Sequence, residues 1–177
     1  MKCKNCKNQI NENTSECEWC GFHINKMNKE LPAEIEGFSL FSHNNIAFLY
    51  PSDYNISIEE DGTEMILIIC NKNGIDEEFQ IQNYKNDNRS PENVINDCIE
   101  GIKNEKKYAF SPFYKTKFNG INCIAMDFEN KHFFARDCAT YYSFNYNDSN
   151  FLIIITTQSK LNLNSIYKIM ERSFTIL

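Results

Sequence analysis

One stretch of the chain decides the fold class: Tyr54-Asn-Ile-Ser-Ile-Glu-Glu-Asp-Gly-Thr-Glu-Met-Ile-Leu-Ile-Ile-Cys70. Its first part, up to Glu59, alternates apolar and polar residues, as a half-buried strand does. Its last part, from Met65, is an unbroken apolar run of strand length. Asp61-Gly62 lies between the two parts, and such a pair between strands is typical of a type I′ turn, which needs positive φ at both central residues. The stretch therefore predicts an antiparallel β-hairpin.

Strand patterns also occur before and after this hairpin. Residues 46–50 form an apolar run that ends at Pro51, and residues 79–84 alternate after the turn pair Asn73-Gly74. The second half of the chain adds predicted strands at 108–118, 121–129, 136–146 and 151–157, with turns at Asn119-Gly120 and 147–150. The chain is therefore expected to be rich in antiparallel strands.

Two helices complete the pattern. Ser90 can cap the first helix, Pro91 suits its first turn, and Glu92 complements its dipole. Its apolar residues recur at three- and four-residue spacing and form one stripe: Val94, Ile95, Cys98, Ile99 and Ile102. The second helix, near residues 163–172, carries on one side Ile166, Ile169 and Met170. Since hairpins lie on both sides of the first helix without βα alternation, the predicted fold class is α+β, an antiparallel sheet flanked by helices.

Composition and charge exclude several classes of protein. The 177 residues are 42% hydrophobic and 24% charged, which is typical of a globular chain and excludes a disordered one. The formal net charge is −6; the first thirty residues carry +1 and the remainder −7. An acidic main domain disfavours nucleic acid, because phosphate binding needs clustered Lys and Arg. The N-terminus lacks an apolar export segment and no run is long enough to span a bilayer, so we expect a cytoplasmic protein.

Four of the eight cysteines form the strongest motif, C-x2-C-x10-C-x2-C: Cys3, Cys6, Cys17 and Cys20. Two such pairs can bring four thiolates together around one zinc ion, and a closed tetrathiolate site is structural rather than catalytic. So short a segment cannot bury a core, and bound metal would supply its folding free energy. A redox dithiol, disulfides or an iron–sulfur cluster are the alternative uses of these cysteines. The motif predicts one structural Zn²⁺ per chain.

Residues 1–24 resemble the short bacterial zinc-ribbon family, whose members begin with two such cysteine pairs and continue into an unrelated domain. The resemblance implies that the four cysteines are the zinc ligands. Lys7 departs from the family pattern, in which Gly usually follows the first pair. We expect a zinc ribbon at 1–24, a polar linker at 25–35 and an α+β domain at 36–177.

The main domain resembles a second family, the PsbP-like proteins. The resemblance rests on Phe38-Ser-Leu-Phe41, on Phe48-Leu-Tyr-Pro-Ser-Asp-Tyr54, on the Asn119-Gly120 hairpin and on a closing helix that ends in Arg172-Ser-Phe174. It implies an α/β/α sandwich with an antiparallel sheet. It also implies a binding or assembly role, because the family consists mostly of such factors without catalysis.

A catalytic constellation is not evident from the sequence. His132, Asp137 and Cys138 are close in sequence, but residues 137 and 138 would face opposite sides of a strand. The segment Glu59-Glu60-Asp61 is interpreted as a solvated hairpin tip rather than a cation site. Three isolated cysteines lie within apolar patterns and are predicted to be core residues: Cys70, Cys98 and Cys123.

These observations favour a non-catalytic zinc-binding protein that acts as a protein-binding or assembly module. Trp19, between the last two cysteines, is the candidate partner contact because Trp is enriched at interface hot spots. Packing of Trp19 on the ribbon itself or on the main domain is the alternative. A nucleic-acid-associated regulatory protein is the alternative function, and it would bind through the ribbon lysines: Lys2, Lys4, Lys7 and Lys26.

Overall fold

The computed structural model describes residues 8–9, 31–61, 65–72, 77–130, 138–158 and 165–177. In chain order its elements are β1 Phe38–His43, β2 Ile46–Pro51, β3 Asn55–Asp61, β4 Met65–Asn71, β5 Glu78–Lys85, α1 Pro91–Ile99, β6 Tyr108–Phe110, β7 Tyr114–Phe118, β8 Ile121–Asn130, β9 Cys138–Tyr146, β10 Ser149–Thr157, α2 Ser165–Ser173 and β11 Thr175–Ile176. None of these helices is both long and apolar enough to cross a bilayer.

The antiparallel pairing predicted from residues 54–70 is confirmed, but Asp61 is a strand residue rather than a turn residue, and residues 62–64 lie outside the described residues. β3 and β4 pair antiparallel in continuous register from Asn55 opposite Asn71 to Asp61 opposite Met65. The predicted turn between β7 and β8 is also confirmed, with φ of 43° at Asn119 and 79° at Gly120. Positive φ at these two positions is what a type I′ connection requires.

The strands form two antiparallel sheets. The larger has the order β3-β4-β5-β10-β9-β8-β6, and β7 also pairs with β8. The smaller has the order β1-β2-β11. β3 therefore ends the large sheet on one side, and β6 and β7 end it on the other.

Each face of the large sheet packs against a different layer. Strand side chains alternate between the faces, so that Leu152 and Ile154 of β10 join the cluster of α1, while Phe151 and Ile153 join the opposite cluster. That second cluster includes side chains of the small sheet and of α2, such as the fully buried Phe48 and Tyr167. The predicted α/β/α arrangement is thus confirmed for one face, whereas the second face is covered by α2 and three strands together.

Both helices lie close to their predicted positions. The Ser90 side chain caps α1 by accepting a hydrogen bond from the Asn93 N–H at 3.3 Å, as expected. α2 runs to Ser173, whose Oγ accepts from the Leu49 N–H at 2.9 Å and fixes the helix on β2. One helix prediction is wrong: Cys98 is exposed, because the buried stripe of α1 is narrower than its apolar pattern and consists of Val94, Ile95 and Ile99.

The strand predicted at 108–118 is wrong in one respect. It is two strands, β6 and β7, separated by Ser111-Pro112-Phe113. Proline has no N–H to donate to a ladder and therefore interrupts one. Both pieces pair with the same neighbour: Phe110 lies opposite Phe128 and Tyr114 opposite Ala125.

Candidate functional site

The predicted zinc ligands and the predicted partner contact Trp19 lie outside the described residues, as do His132 and Asp137. Zinc coordination by Cys3, Cys6, Cys17 and Cys20 stays a prediction. In the described ranges, no three side chains of His, Cys, Asp or Glu are grouped so that they could hold a metal ion.

Three of the four cysteines of the main domain are buried core residues. Burial raises the pKa of both Cys70 and Cys123 to about 12, and Cys138 is 7% exposed. Because the thiolate is the reactive form, Cys70 and Cys123 are inert at neutral pH. The core role predicted for these two is confirmed.

The acidic segment predicted as a hairpin tip forms the end of β3. Glu60 is held there: its Oε1 lies 2.7 Å from the His43 Nε2 and accepts from the Asn44 Nδ2 at 2.9 Å. The hydrogen bond with His43 lowers the pKa of Glu60. Glu59 and Asp61 face the other side of the strand, and neither side chain forms an ion pair or hydrogen bond in the described structure.

β3 is an edge strand of the large sheet, and its outer side has no partner among the described strands. Six of its seven residues are exposed, including Ile58 at 41%, and only Ile56 is half-buried. It contains no Pro, Lys or Arg, and its pairing with β4 has no bulge. β4 is the one strand among the described residues that pairs with it. Its outer edge therefore presents backbone N–H and C=O groups that no described strand occupies.

The other edge, formed by β6 and β7, is protected. Its strands are short, Pro112 interrupts them, and Lys115 and Lys117 project from β7. Short strands, proline and edge lysines are the usual means by which proteins prevent further strand pairing. Two aromatic side chains are also exposed here, Phe113 and Tyr114, each at 38%.

A polar cluster holds this protected edge in place. Asp127 Oδ1 accepts from the Thr140 Oγ1 at 2.9 Å and from the Tyr114 Oη at 3.1 Å. The Asp127 backbone N–H donates to the Ser111 Oγ at 2.9 Å. Burial, with Asp127 nearby, raises the pKa of Tyr114 to about 12, so its hydroxyl stays protonated and can donate. The sequence pattern does not reveal this cluster, since its residues belong to β7, β8, β9 and a loop.

A second cluster orders the connection from β5 to α1. Arg89 pairs with Asp87 at 2.5 Å and with Asp97 of α1 at 2.6 Å. The buried Asn150 donates to the backbone carbonyls of Asp87 and Arg89, both at 3.1 Å. Each member has a partner within the fold, so we assign this cluster a structural role.

Comparison with known proteins identifies the fold. No protein family and no curated protein matches the chain by sequence. Among solved structures, the chain is similar to cyanobacterial PsbP (CyanoP) from Synechocystis sp. PCC 6803, with a TM-score of 0.57 over 81% of this chain and 95% of that one, at 10% identity. The main domain has a PsbP-like fold. At this identity the similarity establishes the PsbP-like architecture alone.

Two further structures show weaker similarity. LpqN of Mycobacterium tuberculosis, a protein involved in cell envelope biogenesis, has a TM-score of 0.47 at 10% identity and covers 78% of this chain and 89% of its own. A structure from Bacteroides thetaiotaomicron has a TM-score of 0.48 at 14% identity and covers 75% of this chain and 45% of its own. Neither value is high enough to add to the PsbP-like assignment.

Proposed function

We propose that this chain is a non-catalytic zinc-binding protein in which a zinc ribbon is joined to a PsbP-like protein-binding or assembly module. The observation that supports it best is the similarity to CyanoP over nearly the whole of that protein. PsbP-like proteins are mostly binding or assembly factors. The buried, inert thiols of Cys70 and Cys123 favour the same interpretation, because they offer no nucleophile.

The two parts have separate tasks in this proposal. The ribbon binds one structural Zn²⁺ through Cys3, Cys6, Cys17 and Cys20 and presents Trp19 to a partner protein. The PsbP-like domain supplies a second contact surface. We place the protein in the cytoplasm, where reduced thiols stay available to zinc.

Metal analysis tests the zinc site. Full-length protein purified without added zinc is expected to carry about one zinc per chain, as a closed tetrathiolate site requires. Cys20→Ser should lose most of the metal, whereas Cys98→Ser, a substitution of an exposed cysteine in the main domain, should retain it. Wild-type protein without zinc, or equal loss in both variants, contradicts the assignment.

Cross-linking of the full chain in its native extract, followed by mass spectrometry, tests the binding role. We expect a protein partner with cross-links to the ribbon and the PsbP-like domain, and a reduced yield from Trp19→Ala. The absence of any specific protein partner contradicts the proposal. Retention on heparin at physiological salt would instead favour nucleic-acid binding through the ribbon lysines, and no retention at low salt would exclude it.

A further inference from the structure

We infer that the open edge of β3 binds an extended, basic segment of a partner protein, which adds to the large sheet as a further strand. This inference rests on the proposed binding function and names the surface and the partner class. The segment's backbone would pair with β3, and its Lys or Arg side chains would contact Glu59 and Asp61. Strand addition of this kind gives affinity through main-chain hydrogen bonds and specificity through alternate side chains.

The backbone of β3 is suited to this role. The strand has seven residues in unbroken register with β4, so its outer edge is long and regular. An unpaired edge of this length is a template for another strand unless it is protected. The opposite edge has such protection in Pro112, Lys115 and Lys117. β3 has neither Pro nor Lys, and its carboxylates repel an acidic strand but not a basic one.

The side chains of β3 specify the charge of the segment. Glu59 and Asp61 lie two residues apart on one face of the strand, exposed and without an ion-pair partner in the described structure. Glu60, on the other face, is already engaged by His43 and Asn44. Opposite charges directly across two strands attract, and like charges repel. Two free carboxylates at alternate positions therefore favour a strand with basic residues at alternate positions.

Ile58 adds an apolar contact on the opposite face. It is 41% exposed and lies between Ile56 and Glu60 on that face. A basic segment whose intervening residues are Val, Ile or Thr would cover Ile58 while its charges reach Glu59 and Asp61. The strand β1, which ends the small sheet, carries no carboxylate and lacks this combination.

The same charges disfavour a second copy of the chain as the occupant of this edge. Pairing two β3 strands would bring Glu59 and Asp61 of both copies together at one edge, and the residues after Glu30 together carry a net charge of −7. Repulsion between like-charged surfaces suppresses such association. A basic segment is therefore attracted to this edge, whereas a second acidic copy is repelled by it.

The test measures binding of a short capped peptide in which Lys alternates with Val and Thr, by isothermal titration calorimetry on the full-length, zinc-loaded chain. Wild-type protein should bind it, and binding should weaken as salt is added. The double variant Glu59→Lys/Asp61→Lys should bind about tenfold more weakly, because two attractions become repulsions. Ile58→Lys, which places an edge lysine on β3, should weaken binding as well.

Matched controls decide whether the site is β3. Lys115→Glu/Lys117→Glu reverses the same number of charges at the opposite edge and should leave peptide binding at least as strong as in wild type. Thermal melts of all variants should coincide, since the substituted residues are exposed. Equal binding of the peptide by wild type and Glu59→Lys/Asp61→Lys, or equal binding of a peptide with Glu in place of Lys, overturns the inference.

Cross-linking with the same variants separates this inference from the proposed function. If Glu59→Lys/Asp61→Lys captures the native partner as well as wild type does, the β3 inference fails and the binding role stands. If wild type captures no specific partner, the binding role fails. Self-association of wild type that Glu59→Lys/Asp61→Lys abolishes would show that a second copy occupies the edge, and would overturn the inference.

Discussion

The two edges of the large sheet differ in how much their strands contribute to the core. On one side, β7 is anchored by Phe118, which is fully buried and contacts the rings of Phe79, Tyr142 and Phe174. On the other side, β3 contributes only one half-buried side chain, Ile56, to the same cluster. The protected edge is thus built into the core, whereas the open edge is held mainly by its ladder with β4. A strand that contributes little to stability is free to serve binding.

The largest expected effect comes from truncating one apolar side chain on each edge strand. Phe118→Ala should lower the free energy of unfolding by about 3–5 kcal/mol, because it leaves a cavity among packed rings. Ile58→Ala should change it by about 0.5 kcal/mol or less, since Ile58 is 41% exposed. Urea denaturation of both variants measures the difference. Similar losses in the two variants would mean that β3 is as much a part of the core as β7.

An intermediate effect is expected from removing one carboxylate at each edge. Asp127→Ala leaves the Thr140 and Tyr114 hydroxyls without their acceptor and should cost about 1–2 kcal/mol. Asp61→Ala removes a carboxylate with no described partner and should stay within about 0.5 kcal/mol of wild type. Chemical denaturation at neutral pH compares them. A larger loss for Asp61→Ala would show that the edge of β3 carries a structural contact.

The smallest effect is expected at Glu60, the carboxylate of β3 that His43 and Asn44 contact. The hydrogen bond from His43 lowers the pKa of Glu60 in the folded protein. Its stabilising contribution is therefore fully present above the ordinary pKa of Glu and is lost as pH falls through the lower folded value. Glu60→Gln should lie furthest below wild type in stability above about pH 5, and the difference should shrink toward about pH 3.

Glu59→Gln is the matched control for that pH dependence. It lies next to Glu60 on the same strand but has no ion pair or hydrogen bond in the described structure. Its stability should follow that of wild type across the same pH range. If the stability difference from wild type shrinks equally in both variants as pH falls, the effect comes from the net charge of β3 rather than from the contact with His43.

Local chemistry explains what could be predicted from the sequence. Asn119-Gly120 forms its turn because the residues at those positions must adopt positive φ, and α1 begins after Ser90 because that side chain caps the helix. Such signals involve neighbours in the chain, so they can be recognised without tertiary structure. The antiparallel α+β class followed from them.

What the sequence could not show depends on contacts between distant segments. The Asp127 cluster joins residues 111, 114, 127 and 140, whose proximity exists only after β8 has paired with its neighbours. Cys98 belongs to an apolar pattern that predicts burial, but α1 packs on the sheet in an orientation that leaves Cys98 exposed. The edge position of β3 likewise depends on the strand order. Because β5 pairs with β4 on one side and with β10 on the other, the β3-β4 hairpin ends the described sheet, and β3 lies outermost.

Residue-resolved amide hydrogen exchange of the full chain, with and without the basic peptide, is the most direct test of strand addition at β3. We expect the outward-facing amides of β3 to exchange rapidly in the free protein and to become protected when the peptide is added, while the amides of β7 do not change. Amides of β3 that are already protected in the free chain would show that another segment occupies this edge. Protection that develops at β7 and not at β3 would show that the peptide binds the other edge, and would contradict strand addition at β3.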